Sequence, residues 1–527
     1  MADQLRFRAI FEPSYLSSFS FDKKNLLPLF FHKGCSKQGS ESSSPLVVSY
    51  FVGVFCGRII RKKIRVLCPL QEEAKGDQVL CLLQEKAKGV RVLFLLQEEG
   101  KGVQVLCLTG SVALKYSVKK QRSKKEMKAA EETHDIVIIG GGICGLATAL
   151  ALHRKGIKSL VLERSDELRT TGGAISVYMN GWYALDQLGV GEELRSKAIL
   201  IKEIKDSWLF KEETNTTPSR KAGLRCLKRS DLVETLAATL PAESIRFSCI
   251  IVATEIDPVT SFPIIHASDG LIIKAKILVG CDGSNSVVAK KLGLKAPKIS
   301  TICEARGFTN YPNGHSFGDQ FLRLWGHNFL LGRAPVNDKL VFWFVDHKFN
   351  QRDIEAREDP KLIRDLTSQR LEGSPEEVID MIKNCEIDSL TLTRIRYRAP
   401  WHILFGKMQK GTTTLAGDSF HVMDPSIGQG GSAAIEDAVV LARCLAGELQ
   451  HHQVADGGEL KKRAEAAIAK YVRERMLRIM SLSTRAFLIG SMSATSSWVK
   501  RMIFCVLLVL LSGNNSLSHA QFDCGHL

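Results

Sequence analysis

The 527-residue chain is 45% hydrophobic, enough to build two domains with real cores. Its formal charge of +16 suggests nucleic acid or an anionic surface, yet residues 1–126 hold 22 Lys and Arg against 11 Asp and Glu, and the other 401 residues carry only +5. No RNA- or DNA-binding motif lies in that larger part, which excludes a nucleic-acid reading of it, and 14 scattered cysteines without a CxxC pair fit a reducing compartment better than a disulfide framework.

The first 126 residues look foreign to the rest. Copies of one unit begin at Val66, Val79, Val92 and Val105, running from VLCPLQEEAKGDQ to VLCLTG. Their period of 13 residues is shorter than the roughly 20 to 50 of a solenoid unit. This stretch reads as a poorly ordered extension or an over-extended gene model, with Met127 as an alternative start. Targeting or membrane attachment are the functional alternatives. Residues 46–56 are apolar and followed by RIIRKK, but a spanning helix needs about 20 apolar residues. Asp3, Glu12, Asp22 and Glu41 weaken a transit-peptide reading of the Ser-rich start. A cytoplasmic location is expected, with a plastid or membrane-associated one as the alternatives.

DIVIIGGGICGLATALALHRKGIKSLVLE then predicts a strand at residues 136–139, a glycine turn, a helix carrying Ile143, Leu146, Ala147, Leu150 and Ala151, a stop at Gly156, and a strand at 158–162. Gly140, Gly142 and Gly145 form GxGxxG. The first permits a tight turn, the second lets a pyrophosphate approach, and the third lets helix pack on strand. Glu163 stands 18 residues after Gly145, near the roughly 20 expected of an acid that accepts from ribose hydroxyls. The motif does not separate NAD from FAD. Cys144 inside the turn reads as packing.

Further along, KAKILVGCDG ends an apolar strand with Asp282 and Gly283. Residues 306–346 hold aromatic and β-branched runs divided by Gly, Pro and Asn, so they predict antiparallel strands, with Tyr311, His315, Phe342 and Trp343 as pocket candidates or core residues. A third motif, LAGDSFHVMDPSIGQGGSAAIEDAVV, follows the strand TTTLA. There Asp418 ends the strand, Gly428, Gly430 and Gly431 let backbone N–H groups approach a ring or phosphate, and Ala434, Ala438, Leu441 and Leu445 share a helical face. His421 is a candidate acid or base, although such a histidine more often serves structure. In the tail, Ile468, Val472, Met476 and Ile479 form a stripe with Lys470, Arg473, Arg475 and Arg478 on other faces. Residues 502–511 are wholly apolar, too short to span a bilayer, and read either as docked on the enzyme's own body or as a peripheral membrane contact.

From about Thr133 onward, these three motifs in this order resemble the FAD-dependent monooxygenases of the aromatic-hydroxylase type, most closely the plant enzymes related to salicylate hydroxylase and zeaxanthin epoxidase. The resemblance implies an α/β fold with a Rossmann-like FAD-binding domain, an inserted, mainly antiparallel β-sheet substrate domain and a helical C-terminal segment. The expected boundaries are 133–300 for the first part of the FAD-binding domain with some substrate-domain insertions, 301–395 for the substrate sheet, 396–450 for the second FAD-binding part and 451–527 for the helical segment. By that likeness Gly140, Gly142, Gly145 and Glu163 hold the ADP half of FAD, and Arg229 in LKRSDLVETL contacts the cofactor near its pyrophosphate. Asp282 serves both FAD and NADPH handling, Asp418 binds the ribityl and pyrophosphate region, and Pro425, Gly428, Gly430 and Gly431 line the flavin ring. Ser419 and Phe420 stand where smaller residues are commoner in the family.

The same likeness implies NAD(P)H as a transient reductant, since no second GxGxxG unit follows the first. It implies O₂ and a small aromatic or isoprenoid substrate, hydroxylated or epoxidised through a C4a-hydroperoxyflavin, and calls for no metal. Phenol hydroxylation benefits from a base and epoxidation needs none; the sequence shows no unambiguous base. The alternative is a flavin-binding paralogue without turnover, acting as an interaction protein through its extension. Intact glycines and three strand-end acids favour the enzyme.

Overall fold

The computed structural model describes residues 131–169, 172–450, 457–512 and 517–527, together with four earlier strands. Those strands, Gln78–Cys81, Val92–Glu99, Gly102–Thr109 and Val112–Lys119, form an antiparallel meander in chain order. Val79, Val92 and Val105, the starts of three repeat copies, each fall within one of them. They belong to a unit spanning Met1–Lys128, and Ala129–Leu527 forms a second unit. The apolar stretch 46–56, the Ser-rich start and Met127 lie outside the described residues.

In the second unit the glycine motif folds as its periodicities predict. Strand β1 (Glu131–Ile139) turns at Gly140 into helix α1 (Ile143–Arg154), and β2 (Leu160–Leu162) returns parallel to β1. The apolar run of β1 is continuous because both faces are covered: Ile136 and Ile138 enter one core with α1, while Val137 and Ile139 enter another. Gly145 is demanded by contact, since a methyl there would overlap the Gly140 carbonyl. Gly156, at φ +70°, follows the end of α1. Strand β3 (Ile272–Gly280) lies parallel to β1 on its other side, and antiparallel strands Pro263–Ala267 and Ile251–Ile256 extend the sheet beyond it.

A second sheet of seven strands contains β4 (Lys298–Asn310), β5 (Gln320–Trp325), β6 (Phe329–Pro335), β7 (Leu340–Lys348) and β8 (Thr391–Tyr397), completed by Glu203–Trp208 and Lys211–Pro218. All neighbours are antiparallel except β5 with Glu203–Trp208. The sheet therefore reaches slightly beyond 301–395 at each end and draws two strands from far upstream. Alternation sorts its side chains. Leu324, Leu331, Trp343 and Val345 pack with the helix Glu376–Lys383 and with Leu371 just past the helix Pro360–Arg370, whereas Phe308, Ala334 and Phe342 pack with Ala174 on the other side.

The chain then returns to the first sheet. Strand β9 (Thr413–Leu415) pairs parallel with the end of β3, and helices α2 (Gly430–Leu449), α3 (Gly457–Ala494) and α4 (Trp498–Ser512) follow. Helix α2 packs on α1 and α3 and is buried from Ser432 to Ala442. Here the sequence reading needs correction. Arg475, expected on a polar face of α3, is fully buried, because α2 presents Glu436 and Asp437 to it.

Candidate functional site

Four parallel strands end level with one another. Ile139 lies opposite Leu162 and Gly280, and Gly280 lies opposite Leu415. Gly140, Glu163, Asp282 and Asp418, each one to three residues past such an end, gather along one carboxyl edge, where open α/β sheets bind ligands.

Each candidate has a definite place there. Gly140, at φ +107°, lies against the Cys281 backbone. Glu163 is 2% exposed; its Oε2 accepts the Gly141 N–H at 2.6 Å and its Oε1 accepts from Ser165 at 3.1 Å, so the carboxylate stiffens the turn itself. Neither α1 nor α2 has a side-chain cap or an acid in its first turn, which leaves N–H groups at both helix starts for an anion. Arg229 donates to the Arg169 carbonyl at 2.8 Å and reaches toward Gly142. Burial lowers its pKa, and Arg169 and Arg306 lower it further against the pull of Glu163 and Asp418. Arg229 beside an uncapped helix start, with two further guanidiniums near enough to repel its charge, is an arrangement that an anion relieves.

The Asp282 Oδ2 accepts the Val287 N–H at 2.6 Å, while its Oδ1 is buried with no hydrogen-bond partner. Burial pushes this carboxyl up, opposed by Ser286 and nearby backbone N–H groups. Asp418 opens the short helix Asp418–His421 and, among the described residues, makes no side-chain hydrogen bond. Protein crowds it closely enough to raise its pKa against His421 and Arg229, yet its side chain is open to solvent, which limits that shift. Pro425 starts a tight turn ending at Gly428, whose φ is +61° and whose Cα faces Tyr178. Gly431 packs on Ile175, whereas a methyl on Gly142 or Gly430 would meet no protein atom closer than 4.0 Å. These two glycines border open space.

His421 is structural. It is fully buried, and its Nε2 lies 2.7 Å from Asp437 Oδ2, which also accepts the Gly417 N–H at 2.8 Å. Arg475 lies 2.7 Å from Asp437 Oδ1 and 2.7 Å from Glu436, which in turn binds Arg478 at 2.9 Å. Burial would raise the Asp437 pKa, but His421 and Arg475 reverse that and hold it low. Ser419 bonds the Gly280 and Ala416 carbonyls and Phe420 enters the core, so these larger residues fill the support beneath the edge. Cys144 is buried against Cys281, whose hydrogen bond, followed by burial, pushes its thiol up; it is packing.

The sequence reading missed the face that the second sheet turns toward this edge. Glu304 lies directly opposite Asp346, Arg306 opposite Phe344, and Phe308 opposite Phe342. Gly173 abuts Phe342 and Arg306, and the strand that follows it carries Ile175, which packs on Gly431. Asp424, just before Pro425, adds a third acid, and burial pushes up all three carboxyls. Asp346 is raised further by Glu304 and Asp424, and its Oδ1 is buried without a hydrogen-bond partner. Arg306 pairs with Glu304 at 3.1 Å. Of the four pocket candidates only Phe342 lies on this face. Trp343 is buried on the opposite side, donating to Thr309 at 3.1 Å, with Tyr311 packed in the same core, and His315 bonds the Asn337 carbonyl. The alternation of one strand separates Phe342 from Trp343.

Comparison with known proteins agrees with this geometry. Residues 133–478 match the family described as FAD binding domain. The chain is 47% identical over 399 residues to Monooxygenase 1 of Arabidopsis thaliana, covering 74% of this chain and 99% of that one, and 36% identical over 410 residues to Monooxygenase 2 of the same plant, covering 75% and 99%. It is 28% identical over 398 residues to the chloroplastic zeaxanthin epoxidase of an Oncidium hybrid cultivar, covering 70% and 57%. The fold is shared with Klebsiella pneumoniae HpxO complexed with FAD and uric acid, at a TM-score of 0.61 and 22% identity over 73% of this chain and 97% of that one. The chain therefore belongs to the FAD binding domain family, and within it to the flavin-dependent monooxygenases.

Proposed function

We propose that this monooxygenase uses NAD(P)H and O₂ to oxygenate a small aromatic or isoprenoid compound, and that a phenol-like substrate suits it best. The supporting observation is the pairing of a dinucleotide edge with a sheet face that carries aromatic rings and a directly opposed carboxylate pair. The residues of the edge fit FAD. Its pyrophosphate would meet the α1 start and Arg229, its hydroxyl-bearing chain would meet the unpartnered Asp418 carboxylate, and the open sides of Gly142 and Gly430 leave room for it. When bound and reduced by NAD(P)H, FAD supplies the electrons with which O₂ is split, one oxygen atom entering the substrate and the other leaving as water.

The chain's part is to seat the substrate and manage its proton. Phe342 and Phe344 offer apolar rings to a planar molecule. Glu304 and Asp346, directly opposed, the first buried and the second half-buried, do not both ionise easily. A carboxylate pair of raised proton affinity is suited to take the proton of a substrate hydroxyl as that oxygen pushes electrons into the ring. Epoxidation of an isolated alkene would leave these acids without a task.

Asp346→Asn tests this reading. Turnover of a phenolic substrate should fall about 100-fold and lose its acid limb, with flavin content unchanged. Stability should move the other way. A carboxyl with a raised folded pKa costs nothing while protonated below about pH 4 and costs most above its folded pKa, so the variant should gain stability at about pH 8 and little at about pH 4. Thermal melts across that range check the sign. An unchanged rate and pH profile would remove Asp346 from proton transfer.

A further inference from the structure

Beyond Lys500 and Arg501, helix α4 is apolar all round, yet the described residues cover only one side of it. It doubles back along α3, where the Arg485 guanidinium donates to the Leu511 carbonyl and Arg501 donates to the Thr495 carbonyl. Phe504, Cys505 and Leu508, at helical spacing with Arg501, are half-buried. The remaining face presents Val499, Met502, Ile503, Val506, Leu507 and Leu510, from 40% exposed at Met502 to 75% at Leu510, and Trp498 stands 60% exposed at its start. Isolated apolar residues are normal on a surface, but a continuous apolar helical face marks a docking site. We propose that α4 lies flat in the headgroup region of an anionic bilayer with this face down.

Charge chooses the occupant. From Arg475 to Phe522 the sequence contains no Asp or Glu and five basic residues. Arg475 and Arg478 are engaged by Glu436 and Asp437, which leaves three cations along the α3–α4 pair that bond no described carboxylate: Arg485 and Arg501, half-buried and bonded to carbonyls, and the exposed Lys500. An apolar face bordered by cations and a tryptophan suits a surface of anionic lipid. A second copy of the chain would offer the patch only the same acid-free surface, so pairing gains no charge complementarity. Length fixes the orientation. Fifteen residues extend about 22 Å, less than the roughly 30 Å hydrocarbon core, and no described helix is long and apolar enough to cross a membrane.

The test is flotation of the full-length, FAD-loaded protein with two kinds of vesicle, phosphatidylcholine alone and phosphatidylcholine with phosphatidylglycerol at roughly three to one. Binding should be at least about tenfold stronger to the anionic vesicles and weaken with added salt. Val506→Glu with Leu510→Glu places two carboxylates on the exposed face without touching the core. It should abolish binding while flavin absorbance and far-UV circular dichroism stay as in the parent. Lys500→Glu should weaken binding to anionic vesicles only. Failure to bind either vesicle overturns the proposal, as does binding that survives the double substitution. A dimer that Val506→Glu with Leu510→Glu splits, with no vesicle binding in the parent, would give the face to a second copy instead.

Discussion

Asp418→Ala is expected to yield a folded protein nearly free of flavin. The side chain begins a one-turn helix at the end of β9 and makes no hydrogen bond among the described residues, so the apoprotein loses little by its removal. The cost falls on the complex. Hydroxyl or phosphate-side donors left unpaired on a buried ligand cost about 1 to 3 kcal/mol, which is roughly 5- to 150-fold in FAD affinity. His421→Ala should behave in the opposite way, because His421 holds Asp437 rather than facing the cleft. It should lower the melting temperature of the apoprotein more and weaken FAD less selectively. Flavin absorbance per protein and melts of the flavin-free forms separate the two, and parent-like FAD affinity in Asp418→Ala would place the acid outside the cofactor site.

Arg475→Met is expected to have the largest effect on the fold. It removes the guanidinium from two buried carboxylates and leaves Asp437 with His421 and Glu436 with Arg478. Breaking a buried pair from one side costs about 3 to 5 kcal/mol, because an uncompensated charge remains. The loss should reach the cofactor, since Asp437 accepts the Gly417 N–H and so fixes the turn that delivers Asp418. Acid should imitate the substitution. Burial works to raise the Glu436 and Asp437 carboxyls, but Arg475 and its neighbours win and hold both below their ordinary values. Their contribution is present above the unfolded-state carboxyl pKa of about 4 and is lost as the pH falls through the lower folded values. Urea unfolding of parent and variant at neutral pH measures the first effect, and parent stability down to about pH 3 measures the second. Replacing Arg475 and Asp437 together by neutral residues should restore part of the loss, because Glu436 keeps Arg478 and no lone charge then stays buried.

The first sheet was legible because its chemistry is local. A glycine turn, an apolar strand and an acid at its end lie within about thirty residues of one another, and the chain repeats the strand-then-acid pattern at Asp282 and Asp418. Their convergence on one edge needed only parallel strands of matched register. The proposed substrate face was not legible, because Glu304 and Asp346 are 42 residues apart in the chain and meet through the β4–β7 pairing. Period-two alternation within β7 could have separated Phe342 from Trp343, but not which side turned toward the carboxyl edge of the first sheet. Arg475 failed for a related reason: a cation among cations on a helix reads as a solvated face until Glu436 and Asp437, in a motif rich in small residues, are known to lie against it. Those two acids sit in the otherwise apolar stretch AAIEDAVVLA, and charges in such a stretch are the one local sign that a buried partner exists elsewhere.

Fate of the oxygen atom tests the monooxygenase reading most directly. The purified, FAD-loaded protein is incubated with NAD(P)H, ¹⁸O₂ and a panel of phenolic and isoprenoid compounds, and product mass, nicotinamide oxidation and hydrogen peroxide are followed together. One labelled oxygen atom in the product, formed in step with nicotinamide oxidation and with little peroxide, is the predicted result. Nicotinamide oxidation that ends wholly in hydrogen peroxide, with no labelled product from any compound on the panel, would contradict it.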